Sequence, residues 1–127
     1  MRLILVRHAK AAPGQPDELR PLTPDGRDAA AALGERLRAA RPDAVISNPL
    51  IRARETAAPI AAAAGVELEV DERLAPGATV EDVRAAADGR GETVVVVGHV
   101  PDCEEIVREL TGREVHFPAG GVEEVEL

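Results

Sequence analysis

The sequence predicts an α/β fold: a three-layer sandwich whose mainly parallel central sheet is flanked by helices. Two observations lead there. Short β-branched runs alternate along the chain with longer stretches at helical spacing. The two strongest apolar runs, Leu3 to Val6 and Val94 to Val97, show no polar alternation, which marks strands covered on both faces. Composition agrees. The 127 residues are 45% hydrophobic and 30% charged, the balance of a globular protein, and the length fits a single domain spanning 1–127.

In chain order, Arg2 to Val6 reads as the first strand, and Ala9 to Leu22, with Pro13, Gly14, Pro16 and Pro21, as a loop. Thr23 then caps a helix with Pro24 at its first position and Asp25 favourable to the dipole. Ala29, Ala30, Leu33, Leu37 and Ala40 share one face of it, and Pro42 stops it. Asp43 to Ser47 is a second strand. A helix follows from about Leu50 to Ala64, with a kink expected at Pro59 and a stop at Gly65. Glu67 to Val70 alternates as an edge strand. Val80 to Ala87 is a short helix, Thr93 to Val97 the central strand, and Pro101 to Leu110 the last helix. Gly121 to Leu127 alternates weakly and closes the sheet, with Glu123, Glu124 and Glu126 discouraging edge-to-edge pairing.

Charge and composition remove several function classes. Lys plus Arg number 15 and Asp plus Glu 23, a formal net charge of −8. No basic footprint exists for nucleic acid or an anionic membrane. One Phe, no Tyr and no Trp leave nothing to stack single-stranded bases. The one cysteine, Cys103, excludes an internal disulfide and any CxxC pair. The opening apolar run stops at Arg7, too short for a signal peptide or a membrane span, so a cytoplasmic location is expected.

Three segments carry chemistry. Arg7-His8 follows the first strand, Ser47 to Arg52 the second, and Gly98-His99 the valine strand. All lie at the carboxyl ends of expected parallel strands, where open α/β sheets bind ligands. Two arginines and two histidines there make a small electropositive crevice in an acidic protein. Arginine presents a planar fork matched to phosphate oxygens. A histidine can attack phosphorus if one ring nitrogen is unprotonated and the other donates to a fixed acceptor. A second, cationic histidine can stabilise the equatorial oxygens of the transferring group. The arginines supply the neutralisation, so neither metal nor cofactor is required, and they would repel a cation held by the histidines.

These segments resemble the histidine phosphatase superfamily, the phosphoglycerate mutase-like fold, over nearly the whole chain. Leu5-Val6-Arg7-His8-Ala9 resembles the RHG motif and Leu22-Thr23-Pro24-Asp25-Gly26 the LTxxG segment. Ser47 to Ala57 resembles SxxxRxxxTA, and Gly98-His99-Val100-Pro101 resembles GHxP. The resemblance implies that His8 is the phospho-accepting nucleophile. It implies that Arg7, Arg52 and His99 complete the phosphate pocket. Ala9 stands where glycine is frequent and Val100 where asparagine is common. Arg54 is expected to face solvent or a carboxylate such as Glu55 or Glu81. Thr56-Ala57 is read as helix packing, Ser47 as a strand end and Thr23 as a cap.

The segment between Gly65 and Glu92 is short, so an open, shallow site is expected. Larger members resembling this core place an acidic proton donor there. The candidates here are Asp71, Glu72, Glu81 and Asp82, and none sits in a clear acid motif. An alkoxide leaving group needs protonation, whereas an imidazole leaves more readily. Size and the Arg-His-Ala-Lys opening resemble the SixA-type protein phosphohistidine phosphatases. The expected partner is therefore a phosphorylated protein carrying phosphohistidine, with Lys10 flanking the pocket. The alternatives are a phosphatase on small phosphomonoesters, favoured by an acid in the pocket or by a lid over residues 9–22, and a phosphoprotein-binding module without turnover. Cys103, at a helix start, is either a thiol of lowered pKa or a small buried apolar group. His116, beside Phe117 and without an evident partner, is read as a surface or edge-strand residue. The sequence leaves the oligomeric state open.

Overall fold

The computed structural model describes all 127 residues, Met1 to Leu127. Five strands and four helices alternate: β1 Arg2–Arg7, α1 Pro24–Leu37, β2 Ala44–Ser47, α2 Ile51–Ala64, β3 Leu68–Val70, α3 Val80–Ala87, β4 Thr93–Gly98, α4 Asp102–Thr111 and β5 Val122–Glu126. Short 3-10 turns form at Asp17–Leu19, Arg38–Ala40 and Glu72–Leu74, so the first helix, expected to run to Pro42, ends at Leu37 and its last turn tightens into the 3-10 turn. The sheet order is β3-β2-β4-β1-β5, parallel except for β5, which runs antiparallel to β1. The expected mainly parallel α/β sandwich is what forms.

Side-chain alternation assigns the layers. Along β1, Leu3 and Leu5 point to one face and Ile4 and Val6 to the other. Leu3 and Leu5 join Val94, Val96, Ile46, the α3 residues Val83 and Ala87, and the α4 residues Cys103, Ile106 and Val107. Ile4 and Val6 join Val95, Val97, Val45, Leu33 of α1, and Ala53, Ala57 and Ile60 of α2. Each unalternated run thus fills both cores. Phe117, the one aromatic residue, is fully buried in the α3/α4 layer.

Small residues bring α1 and α2 together. A Cβ on Gly34 would lie 2.6 Å from the Pro59 carbonyl oxygen, so only glycine allows this approach. The expected bend at Pro59 does not divide α2, which runs as one helix from Ile51 to Ala64. Thr23 caps α1 by accepting from the Gly26 N–H at 2.9 Å. Gly26 must lack a Cβ, because one would lie 2.2 Å from the Lys10 carbonyl oxygen. That carbonyl also accepts the Thr23 N–H at 2.9 Å. The Leu-Thr-Pro-Asp-Gly turn therefore clamps the chain just after Arg7-His8. No helix is long and apolar enough to cross a membrane.

Candidate active site

Strand register gathers the site. Arg7 stands opposite Gly98 in the β1/β4 ladder, and Ser47 opposite Val97 in the β2/β4 ladder. The chain therefore leaves three adjacent strands at one edge through His8, His99 and Asn48. The His8 N–H donates to the Gly98 carbonyl at 3.0 Å and the Asn48 N–H to the Val97 carbonyl at 3.1 Å. Arg52 enters from the second position of α2.

His8 has a fixed tautomer. Its Nδ1 lies 2.7 Å from the Ala9 carbonyl oxygen. A carbonyl only accepts, so Nδ1 carries the hydrogen and Nε2 keeps the lone pair. Burial pushes the His8 pKa down to about 4, outweighing the upward pull of the Ala9 carbonyl and helped by the charges of Arg52, Arg7 and His99. The ring is therefore neutral at pH 7, and the four expected side chains share one electrostatic neighbourhood.

The two arginines are held differently. Arg7 Nη1 donates to the Phe117 carbonyl at 2.8 Å. Its Nε is buried with no partner, an unusual state for a charged donor. Arg52, with a side chain only 9% exposed, donates through Nη1 to the Asp17 carbonyl at 2.9 Å. Its Nη2 donates to Asp17 Oδ2 at 3.1 Å. Asp17 Oδ1 accepts from Arg20 Nη1 at 3.0 Å. Hydrogen bonds from Arg20 and Arg52 hold the Asp17 carboxyl below its usual range. A carboxylate of the chain itself thus occupies the fork of Arg52. The Ala9–Leu22 segment reaches over Arg52 by this contact, while residues 13–19 remain exposed.

His99 lies between two polar neighbours. Its Nε2 is 3.4 Å from Asp102 Oδ2, and its Nδ1 is 3.5 Å from Asn48 Nδ2. Burial lowers its pKa against the upward pull of Asp102; Arg52 and Arg7 lower it further and Asp17 raises it.

The structure corrects several expectations. Thr56 is more than helix packing: its buried hydroxyl accepts the Ala9 N–H at 3.0 Å and donates to the Arg52 carbonyl at 2.8 Å. It ties the loop that holds His8 to the helix that holds Arg52. Glu55 acts alongside it, accepting the Leu22 N–H at 2.8 Å. Arg54 is exposed as expected, but its Nε donates to the Pro49 carbonyl rather than to a carboxylate. Cys103 is buried, and burial lifts its pKa to about 12, so it is the apolar alternative that holds. His116 has a partner after all, with Nδ1 3.3 Å from Glu104 Oε2. Glu104 also accepts the Phe117 N–H at 2.8 Å, steadying the residue whose carbonyl anchors Arg7.

The four carboxylates considered as proton donors are engaged elsewhere or exposed. Asp71 is paired with Arg73, whose hydrogen bonds keep its pKa low. Asp82 closes the capping box of α3 with Thr79. Glu72 and Glu81 are exposed. The residues missed from sequence were Asn48, Asp17 and Asp102. Asn48 had a readable signal, since an Asn two residues before a helix N-cap accepts that residue's N–H, here that of Leu50 at 3.0 Å. Asp102 also had one, the three-residue spacing from His99. Asp17 had none, because its position depends on how the loop folds back. No group of three or more His, Cys, Asp or Glu side chains comes together to hold a metal ion. Arg7, His8 and His99 are half-buried and Arg52 is buried.

The family model for the histidine phosphatase superfamily (branch 1) matches residues 3–76, more than half of the chain. The chain belongs to the histidine phosphatase superfamily. Members of this superfamily are phosphatases. Arg7, His8 and Arg52 of this superfamily member fall inside the matched segment, and His99 beyond it. Among solved structures, the protein histidine phosphatase SixA complexed with tungstate is similar over 100% of this chain and 88% of that one. Its TM-score is 0.87 at 26% identity. A structure assigned to phosphohistidine phosphatase SixA from Agrobacterium tumefaciens gives 0.82 at 26% identity, covering 97% and 89% of the two chains. A mycobacterial glucosyl-3-phosphoglycerate phosphatase, 18% identical, shares the fold with a TM-score of 0.76 over 97% and 88%. No curated protein sequence matches the chain. The expected phosphoglycerate mutase-like architecture is thus present in this superfamily member.

Proposed function

We propose that this protein is a phosphohistidine phosphatase working through a phosphoenzyme on His8. The observation that carries the reading is the pairing of a neutral His8, its Nε2 lone pair free, with the buried, partnerless Nε of Arg7. A nucleophile and an unsatisfied anion-binding donor side by side fit phosphoryl transfer. A phosphoryl group enters against Arg7, Arg52 and His99, displacing Asp17 from Arg52. His8 Nε2 attacks phosphorus, forming a P–N bond as the substrate's P–N bond breaks. The departing imidazole takes a proton from water. A second water then cleaves the phosphoenzyme, releasing inorganic phosphate and restoring His8. The arginines neutralise the transferring group, so the reaction needs no metal ion.

The substrate class rests on the proton inventory. Asp71 is paired with Arg73, Asp82 closes the α3 capping box, and Glu72 and Glu81 are exposed. Asp17 does reach the site, but is held ionised by Arg20 and Arg52, a poor state for an acid. An imidazole leaving group tolerates that lack better than an alkoxide. The similarity to SixA structures, one of them holding a tetrahedral oxyanion, supports the same reading.

The test is paired turnover with chelator present, on a phosphohistidine-bearing peptide and on an alkyl phosphomonoester. Fast phosphate release from the first alone, lost in His8→Ala, is expected. Equal turnover of the alkyl ester would move the protein to the small-phosphoester class. Tight binding without release from either would make it a binding module.

A further inference from the structure

We propose that Asp102 is a positioning residue that fixes the tautomer and charge of His99, so that His99 meets the phosphoryl group as an imidazolium. The proposal rests on the phosphatase reading above and assigns a role to a residue outside the four expected ones.

The geometry supports it from three sides. Asp102 is buried, 8% exposed, and its Oδ2 faces His99 Nε2 at 3.4 Å. That oxygen also accepts the Gly77 N–H at 2.9 Å, which fixes the carboxylate in the loop before α3. No Lys or Arg pairs with it; the one ionisable group within ion-pair distance is His99. A buried carboxylate in that position favours a hydrogen on the nitrogen facing it. Asp102 is also the first residue of α4, where the helix dipole favours an anion. Its own charge is thereby supported.

The other side of the ring points the same way. The Leu50 N–H donates to Asn48 Oδ1, so the Asn48 NH2 is the group turned to His99 Nδ1. An NH2 only donates, so Nδ1 is the acceptor in this contact. Neutral His99 is thus the Nε2–H tautomer. When an oxyanion arrives, Nδ1 can donate to it only after gaining a proton. The groups facing His99 compete over that proton. Arg52 from α2 and Arg7 from the end of β1 oppose it; Asp17 from the Ala9–Leu22 loop favours it until displaced from Arg52. Once Asp17 has moved, Asp102 is the carboxylate left to support the charge, together with the bound oxyanion. The proton stays on His99 throughout and serves electrostatically.

The sequence holds three histidines, His8, His99 and His116, so ring-nitrogen NMR can resolve them. The probe is tungstate, and the variant is Asp102→Asn, which keeps the size and an acceptor for the Gly77 N–H. In the wild-type protein, neutral His99 should show the Nε2–H tautomer and become doubly protonated when tungstate binds. In Asp102→Asn, the Nε2–H tautomer should persist, because the Asn48 NH2 and the amide oxygen still favour it, but its preference should weaken and His99 should protonate less readily. The pH limb of tungstate affinity should move to acid by about one unit, an affinity loss of about tenfold above that limb. His99 titrating identically in both proteins would overturn the proposal. If Asp102→Asn does not fold, the wild type decides: an Nδ1–H tautomer for neutral His99 would overturn the proposal equally. Wild-type protein that fails to bind tungstate would count against the phosphatase reading instead, and the difference in His99 titration between free wild type and free Asp102→Asn would still decide the part played by Asp102.

Discussion

Replacing Thr56 by valine should weaken the fold and the site together. The side chain is fully buried, and its hydroxyl is the acceptor for the Ala9 N–H at 3.0 Å. Valine keeps the shape and removes that acceptor. Ala9 is 1% exposed, so its N–H is left without water as well as without a partner. An orphaned buried donor costs about 1–3 kcal/mol, and the lost donation to the Arg52 carbonyl adds little because that carbonyl lies within the helix. The expected loss is about 2 kcal/mol, or about 7 °C in Tm for a chain of this length. Activity should fall further than stability explains, because the Ala9 carbonyl is what holds the His8 Nδ1 hydrogen. A drop of about tenfold in kcat/KM, measured well below the new Tm, corresponds to about 1.4 kcal/mol of lost positioning. Thr56→Ser keeps the oxygen and should stay within about twofold. Urea denaturation and steady-state turnover measure the two effects. A valine variant within about 0.5 kcal/mol of wild type would refute the reasoning, since the hydroxyl would then be replaceable by packing alone.

Two further outcomes follow from the same geometry. With its pKa near 4, His8 should remain a competent nucleophile far into acid: at pH 5.5 about 97% of it is unprotonated, against about 9% for an ordinary histidine. Phosphoenzyme formation should show no loss ascribable to His8 between pH 7 and 5.5, and a His8 titration near 6.5 by NMR would contradict this. Stability carries the linked sign. Between about pH 6.5 and 4 the unfolded chain binds the extra proton, so the stabilisation from keeping His8 neutral is complete above pH 6.5 and is lost as pH falls towards 4. After allowance for solvent screening the loss is about 2 kcal/mol, and His8→Gln should abolish that pH dependence in denaturation experiments. Asp17→Asn removes the carboxylate from the fork of Arg52 and should tighten tungstate binding about twofold to fivefold by calorimetry. Weaker binding in that variant would mean that Asp17 organises the site rather than competing for it.

The sequence carried the architecture because the architecture is local. Valine runs, the Thr23-Pro24 start and the Gly65 stop each express a backbone preference within a few residues, and β1, β4 and α2 appear within one or two residues of their expected bounds, while α1 ends at Leu37, short of Pro42. Arg7, His8, Arg52 and His99 were legible for a different reason: each sits at a fixed offset from a strand end, and parallel register brings those ends together. What stayed hidden depends on chain segments far apart in sequence. Asp17 meets Arg52 across 35 positions, and the Thr56 hydroxyl meets Ala9 across 47. The Phe117 carbonyl meets Arg7 across 110. Composition and periodicity do not report such contacts. Asp102 lies between the two cases, since its spacing from His99 was visible but its burial, which gives the carboxylate its force, was not.

The central claim is a covalent phosphoryl group on His8, and trapping it tests that claim most directly. The protein would be quenched in alkali within a single turnover of a phosphohistidine peptide, and the phosphorylated residue located by mass spectrometry. The account predicts an alkali-stable, acid-labile phosphate on His8 of the wild-type protein and none at all in His8→Ala. Phosphate release at full rate with no label on His8, or with the label on another residue, would contradict it.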